Sequence, residues 1–295
     1  RTNLSTIKNY EGTGASKIFT DIQVINYTLY DRYGNAEHQT IDTFNDVDMP
    51  AASLVSHKDI TNDYTSVTGT IDIQLADGTV ITRPDTFARK RGSAIETVSI
   101  ETSRSGVLIQ KNVTTTSLFD VRGNAIDQST DKFVADSLGA EKLATRTAIH
   151  NVGINARGDA ARQEITTETT DDTGVVTTLE VSGYQVMTNR EFDGRHNVLN
   201  QMSYSYDQKD GDLLEVSEIR SRAYSSSGVA REQDIVTYAD ELKTQIIEAK
   251  HILNSQIDSN GNVKISEIDI YSGASIAAQD GAITFTGLME HQRID

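Results

Sequence analysis

Apolar and polar residues alternate with a period of two through much of this chain. Met202, Tyr204 and Tyr206 are interleaved with Ser203 and Ser205, and Ile71, Ile73 and Leu75 with Asp72 and Gln74. Side chains on a strand point alternately to its two faces, so these stretches predict half-buried β-strands. The vocabulary agrees: Thr, Ser, Val, Ile and Tyr recur, and the only prolines are Pro50 and Pro84. One stretch carries a helical period, with Leu242, Ile246, Ala249 and Leu253 on one face of residues 239–253. Aligning residues 214–228 with 247–261 places Ile219 over Ile252 and Tyr224 over Ile257. The second half of that stretch is therefore expected as strand, with a short helical turn near residues 240–243 or 138–143.

The strands are punctuated by a recurring motif. Six windows align: Tyr30-Asp-Arg-Tyr-Gly-Asn-Ala-Glu-His-Gln39, Phe119-Asp-Val-Arg-Gly-Asn-Ala-Ile-Asp-Gln128, Ile154-Asn-Ala-Arg-Gly-Asp-Ala-Ala-Arg-Gln163, Phe192-Asp-Gly-Arg-His-Asn-Val-Leu-Asn-Gln201, Tyr224-Ser-Ser-Ser-Gly-Val-Ala-Arg-Glu-Gln233 and Ile257-Asp-Ser-Asn-Gly-Asn-Val-Lys-Ile-Ser266. With the glycine as position zero (His196 in the fourth copy), position −4 is Tyr, Phe or Ile. Position +5 is Gln39, Gln128, Gln163, Gln201 and Gln233, with Ser266 in the sixth copy. Position +10 is Phe44, Phe133, Glu168, Tyr206, Tyr238 and Tyr271. The zeros at 123, 158, 196, 228 and 261 are 35, 38, 32 and 33 residues apart, a unit of about 35.

The turn residues are Asp31, Gly34 and Asn35; Asp120, Gly123 and Asn124; Gly158; Asp193; Gly228; and Asp258, Gly261 and Asn262. Asp can accept bonds from the turn's amides, and Gly-Asn tolerates positive φ, so the motif reverses the chain. Each unit is then a β-hairpin. A lone hairpin is marginal in water, so each must borrow burial from its neighbours. The expected fold is all-β: tandem antiparallel hairpins in one array over residues 1–295, forming a long meandering sheet rolled into a tube, barrel or shell. The Gln column reads as a side-chain ladder between units or a turn contact, and the +10 aromatics as packing. Residues 45–105 depart from the pattern and hold both prolines, Asp77-Gly78 and Arg89-Lys90-Arg91. Degenerate units or an insertion would account for them.

Composition narrows the function classes. Only 37% of the 295 residues are hydrophobic and 6% aromatic, which suits a thin, extended core. A net charge of −16 disfavours nucleic acid and anionic membranes as partners. Without cysteine there is no disulfide, thiol nucleophile or Cys-based metal site. No apolar run approaches the roughly 20 residues of a membrane-spanning helix. The chain begins at Arg1, as a processed or excised segment would.

Chemistry-bearing motifs do not emerge. His38, His57, His150, His196, His251 and His291 are scattered, with no ligand spacing among them. Asp258-Ser-Asn260-Gly-Asn262 and Asp207-Gln-Lys-Asp210-Gly-Asp212 gather oxygens, but Val263 and Asp269 stand where a calcium loop starting at Asp258 needs Gly and Glu. Asx-type turns account for both. There is no Gly-x-Ser-x-Gly elbow, phosphate loop or dinucleotide fingerprint. No catalytic, metal or cofactor residue is nominated, and no cofactor is expected.

Tyr30-Asp31 with Gly34-Asn35, and Phe119-Asp120 with Gly123-Asn124, resemble the YD repeats of RHS-type bacterial surface and toxin proteins and of teneurins. That resemblance implies hairpins wound into a long sheet, either a hollow shell around a cargo or a surface scaffold, in an extracellular or cell-surface bacterial protein. The unit of about 35 residues is longer than a YD repeat, and Tyr224-Ser-Ser-Ser-Gly228 lacks the Asp. The expected function is a self-assembling filament, tube, sheath or shell protein, partnered by further copies of itself and not an enzyme. The alternatives are an adhesive module holding a glycan or surface protein, and a polysaccharide-acting enzyme on a β-scaffold.

Overall fold

The structure is a computed structural model, and it describes residues 2–11, 17–136, 138–170 and 178–295. The chain is all-β, with 18 strands, one short α-helix and one 3-10 turn among the described residues. Contacts group it into two compact units: Arg1–Lys8, Asp21–Asn151 and Thr166–Ser182 form the first, and Asn9–Thr20, Val152–Ile165 and Gly183–Asp295 the second. After β1 (Leu4–Glu11), the main ladder of the first unit runs through β2 (Ile18–Tyr30), β3 (Ala36–Phe44) and β4 (Leu54–Asp63). β5 (Thr70–Gln74), β6 (Val80–Pro84) and α1 (Thr86–Arg91) intervene in sequence. The ladder resumes with β7 (Glu96–Ser103), β8 (Leu108–Asp120), β9 (Ala125–Ala135) and β10 (Glu141–Ile154) up to Asn151, each antiparallel to the next.

Beyond β11 (Ala160–Thr170), the second unit carries β12 (Leu179–Phe192), β13 (Val198–Tyr206), β14 (Leu213–Arg222), β15 (Glu232–Tyr238), β16 (Ile246–Ile257), β17 (Val263–Ile276) and β18 (Ile283–Ile294) as an antiparallel meander. Among the described residues, the ladder within each unit is open and does not close into a barrel.

The motif turns share one geometry. The Gly34 N–H donates to the Asp31 carbonyl at 3.2 Å, and the Asp31 N–H to the Asn35 carbonyl at 3.0 Å. The same two bonds recur at 120–124, 155–159, 193–197, 225–229 and 258–262. This is a type I turn followed by a left-handed residue, the three-residue hairpin connection whose twist suits the flanking strands. It requires positive φ at position zero, +97° at Gly34 and +71° at His196. Leu75–Thr79, Ser103–Val107 and Asp136–Ala140 close by the same bonds; all three share the glycine and Asp136 the aspartate, but none has the Tyr, Phe or Ile at −4 or the Gln at +5.

The irregular region has a definite form. β4 and β7 pair from Ser56↔Ser103 to Asp63↔Glu96, as two arms of one hairpin whose tight turn is replaced by residues 64–95. That segment holds the β5–β6 hairpin and α1. It packs Ile71, Ile73 and Ala88 on Phe119, the −4 residue of the second copy, with β5 parallel to β8. Gly92 caps α1 at φ +72°, and a Cβ there would sit 3.1 Å from Asn35 Oδ1, much as one on Gly228 would sit 3.7 Å from Asn197 Oδ1. The helix end thus occupies the place of the missing motif turn.

The core of the second unit is Val216, Val236, Tyr238, Ala249 and Ile283, flanked by Met202, Tyr204, Ile246, Tyr271 and Phe285. Tyr238 and Tyr271 are +10 residues, and the Tyr271 ring stacks on Phe285 with centroids 4.7 Å apart. The helical period of residues 239–253 is overridden. Ile246–Ile257 is a strand bonded on both sides, with Ala249 opposite Val236 and fully buried. Two ladders and a buried face outweigh a helix propensity worth tenths of a kcal/mol per residue. Residues 240–243 close a single reverse turn, Lys243 N–H to the Asp240 carbonyl at 3.1 Å. Near 138–143 the Asp136–Ala140 turn leads into β10 instead of a helical turn.

Candidate functional site

The motif turns are held by their first residue. Asp31 Oδ1 accepts the N–H groups of Tyr33, Gly34 and Asn35 at 2.8, 2.8 and 2.9 Å, and Oδ2 accepts Asn35 Nδ2 at 2.9 Å. Asp120, Asp193 and Asp258 repeat the pattern with Asn124, Asn197 and Asn262. Burial by itself would raise the Asp31 and Asp120 carboxyls, but these donors outweigh it and hold both below the usual carboxylate value. Asp193 is lowered chiefly by Asn197. The Asp258 cluster weighed for calcium spends its oxygens on Asn260 and Asn262, and Asp207 Oδ1 accepts from Gln208 and Asp212. No group of three or more His, Asp or Glu that could hold a metal ion occurs among the described residues.

Successive turns touch. Arg157 Nη2 donates to the Asp193 carbonyl at 2.6 Å, and His196 Nδ1 meets Asp159 Oδ1 at 2.6 Å. Ser93 Oγ, just past the α1 cap, donates to the Gly123 carbonyl at 2.7 Å, and a Cβ on Gly261 would lie 3.2 Å from Val229 Cγ2.

Further along each hairpin, the +5 column faces residue −7 of the same unit. Gln128 Nε2 donates to Thr116 Oγ1 at 3.4 Å, Gln201 to Asn189 Oδ1 at 2.7 Å, Gln233 to Ser221 Oγ at 3.0 Å, and Ser266 Oγ to Asn254 Oδ1 at 2.9 Å. Gln39 stands opposite Tyr27. Gln163 uses its oxygen, accepting from Asn189 Nδ2 at 3.3 Å.

The −7 asparagines reach the preceding hairpin. Asn151 Nδ2 donates to the Ala125 carbonyl at 3.1 Å, Asn189 to Ala160 at 3.0 Å and Asn254 to Ala230 at 3.0 Å. Each acceptor is the +2 residue of the hairpin before. Asn62 makes the same bond to Ala36 at 3.0 Å from the irregular region, and Thr97 Oγ1 donates to Asn62 Oδ1 at 2.8 Å in the role of the +5 residue. Sequence reading missed this column, although Asn seven residues before the zero in three of six copies was a visible signal.

It also missed a charged cluster beneath the second unit's core. Glu218, with 2% of its side chain exposed, accepts Arg190 Nη2, Arg220 Nη1 and Lys243 Nζ at 2.5, 3.1 and 2.8 Å. Arg220 also donates to the Gln279 and Gly281 carbonyls at 2.8 and 3.2 Å, tying the β17–β18 turn over β14. Arg190 Nε lies 2.8 Å from Asp280 Oδ1. Burial would raise the Glu218 carboxyl, but Arg190 and Lys243 hold it below the usual value, so it is an anion and not a proton donor. Burial and Glu218 together push the Tyr238 phenol up, keeping it protonated. Beside this cluster lies a cleft of about 550 Å³ lined by Glu218, Tyr238, Lys243, Thr244, Ile246 and Ile276 among others.

All six histidines meet an aspartate. His57–Asp42, His150–Asp127, His251–Asp234 and His291–Asp269 are directly opposite across antiparallel pairs, at 2.6 to 2.7 Å. His38 Nε2 reaches Asp59 at 2.9 Å, while its Nδ1 meets the hydroxyl of Thr28, the extra residue of a bulge in β2. These partners lie 15 to 23 residues away from their histidines, except for His196 at 37. Spacing along the chain therefore could not reveal them.

The fold and these contacts define a repeated antiparallel β-hairpin protein. No family model matches the chain, and no curated protein matches it. Among solved structures it is similar to the crystal structure of TcdB2-TccC3-Cdc42, at 12% identity over 98% of this chain and 14% of that one, with a TM-score of 0.14. It is also similar to that of TcdB2-TccC3, at 8% identity over 96% and 22%, with a TM-score of 0.13. The chain spans less than a quarter of either, and likeness at this level carries no argument about fold or role. Among the described residues no helix is long and apolar enough to cross a membrane.

Proposed function

We propose that this chain is a structural, self-assembling β-hairpin repeat protein of the YD-repeat or RHS-like kind, displayed outside the cell as part of a filament, tube, sheath or shell. The observation that supports this reading is the asparagine bond between hairpins, made by residue −7 of one unit to the +2 carbonyl of the unit before it. Such a bond has a partner only when another hairpin of the same kind stands alongside. The recurring turn and glutamine residues hold their own hairpin, and the recurring asparagines bond one hairpin to the one before it, so the natural partner is more of the same repeat. A net charge of −16 keeps an extended β-surface dispersed until a specific contact forms.

Negative-stain electron microscopy of the purified chain over a range of concentrations tests this. Filaments, tubes or sheets are expected. Dispersed single particles at every concentration would sink the proposal.

A further inference from the structure

The two ends of the hairpins differ in charge. At the motif-turn end of the first unit three turns lie side by side: Asn35 Nδ2 donates to the Arg89 carbonyl at 2.6 Å, and Ser93 Oγ to the Gly123 carbonyl at 2.7 Å. Residues 31–35, 89–93 and 120–124 carry five cations, Arg32, Arg89, Lys90, Arg91 and Arg122, against two carboxylates, Asp31 and Asp120. Both carboxylates turn inward, 4% and 12% exposed, and hold the amides of their own turns. Asp85, at the far end of α1, accepts the Ser66 N–H. Arg32, Lys90 and Arg91 are exposed, and among the described residues none of them is paired with a carboxylate. Arg32 and Arg91 lie instead over the Tyr33 and Phe87 rings, at 4.9 and 3.5 Å.

The opposite end of the second unit is the reverse. Its turns, 207–212, 239–245 and 277–282, carry Asp207, Asp210, Asp212, Asp240, Glu241 and Asp280 against Lys209 and Lys243. Asp280 is spent on Arg190 and Lys243 on Glu218, while Asp207 and Asp240 hold amides of their own turns. Asp210, Asp212 and Glu241 are exposed and meet no cation among the described residues. Turns at either end recur every second strand, so both sets of charges are spaced about 10 Å apart. Exposed apolar side chains stand among them, Tyr33 and Val121 at the cationic end and Leu242 at the acidic one.

We propose that the motif-turn end of the first unit docks on the opposite end of the second unit of another copy, with Arg32, Lys90 and Arg91 facing Asp210, Asp212 and Glu241. The inference rests on the self-assembly reading and specifies its contact. Such a heterologous contact joins copies head to tail and can propagate. A second copy offers both halves of the match at the same spacing, whereas a free polyanion would use only one.

Sedimentation velocity on the full chain tests it, over a concentration series at about 0.15 M salt, where repulsion between like-charged copies is screened within about 8 Å. Arg32→Glu with Lys90→Glu, and separately Asp212→Lys with Glu241→Lys, should each weaken association about tenfold or more, because each sets like charges face to face. Mixing the two variants should restore it, since every facing pair is then opposite again. Association that neither reversal weakens, or a loss that mixing does not recover, overturns the end-to-end contact and leaves self-assembly standing. A parent chain that never associates overturns both. Polyglutamate binding that Arg32→Glu with Lys90→Glu abolishes, while copies of the parent stay apart, would make this end a polyanion site and likewise overturn the proposal. Should a reversed chain fail to fold, the neutral pairs Arg32→Gln with Lys90→Gln and Asp212→Asn with Glu241→Gln decide: each should weaken association, and unchanged association overturns the proposal.

Discussion

Asn155 and Asp159 exchange the amide and the carboxylate that Asp and Asn hold at the same two positions of four other motif turns. Asn155 Nδ2 donates to Asp159 Oδ2 at 3.0 Å, where in the neighbouring turn Asn197 Nδ2 donates to Asp193 Oδ2 at 2.8 Å. The bond survives the exchange because it needs one amide and one carboxylate, in either order. Asn155→Asp alone should set two carboxylates together and cost about 1 kcal/mol or more. Adding Asp159→Asn should recover part of that, the rest being lost with the contacts of Asp159 to His196 and Arg157. A double-mutant cycle by urea denaturation measures the coupling. Additive costs would show that the side-chain bond is not what holds the turn.

The asparagine column should matter more than the glutamine column beside it. Asn189 is buried and joins Ala160, Gln163 and Gln201. Asn189→Ala would leave a carbonyl without its donor, at a cost of about 1–3 kcal/mol. Gln39→Ala, opposite Tyr27, should cost about 0.5 kcal/mol or less. Chemical denaturation of both variants gives the comparison, and equal costs would refute the ranking.

Glu218→Gln removes the anion that two nearly buried arginines share. Uncompensated buried charge is expensive, so a loss of about 3–5 kcal/mol is expected, read as a large drop in melting temperature. A change within error would mean that water reaches the cluster freely.

The lowered turn carboxylates set the acid limb of stability. Asp31, Asp120 and Asp193 have folded values below their unfolded ones. Their contribution is therefore fully present above the unfolded carboxylate value of about 3.9 and is lost as pH falls through the folded values. Circular dichroism should show unfolding midpoints that decline below about pH 4. Asp193→Asn should flatten that decline, and an unchanged slope would count against the assignment.

The strands and the six motif turns were legible in the chain because both are local. Alternation marks a strand within a few residues, and an Asp-x-x-Gly-Asn turn is satisfied by bonds spanning no more than four positions. Repetition at about 35 residues then indicated hairpins arranged in series. Folding was needed to show that the end of α1 takes the place of a missing turn: Arg91-Gly92-Ser93-Ala94-Ile95 parallels Arg122-Gly123-Asn124-Ala125-Ile126, but Ala88 and Arg89 stand where that copy has its aromatic and its Asp, and it is the nearness of Gly92 to Asn35 that aligns it with the repeat. Residues 239–253 were ambiguous for a related reason: their local preference is helical, and it is the ladders to β15 and β17 that make the second half a strand. Two of the three partners of Glu218, Arg190 and Lys243, lie 28 and 25 residues away, and the third, Arg220 two residues on, itself reaches a carbonyl 61 residues further along. Sequence by itself determined the repeating hairpin, because turn chemistry and side-chain alternation act over a handful of residues. Only the tertiary structure decided which distant side chains share a bond or a buried charge, because those energies exist only once the hairpins lie side by side.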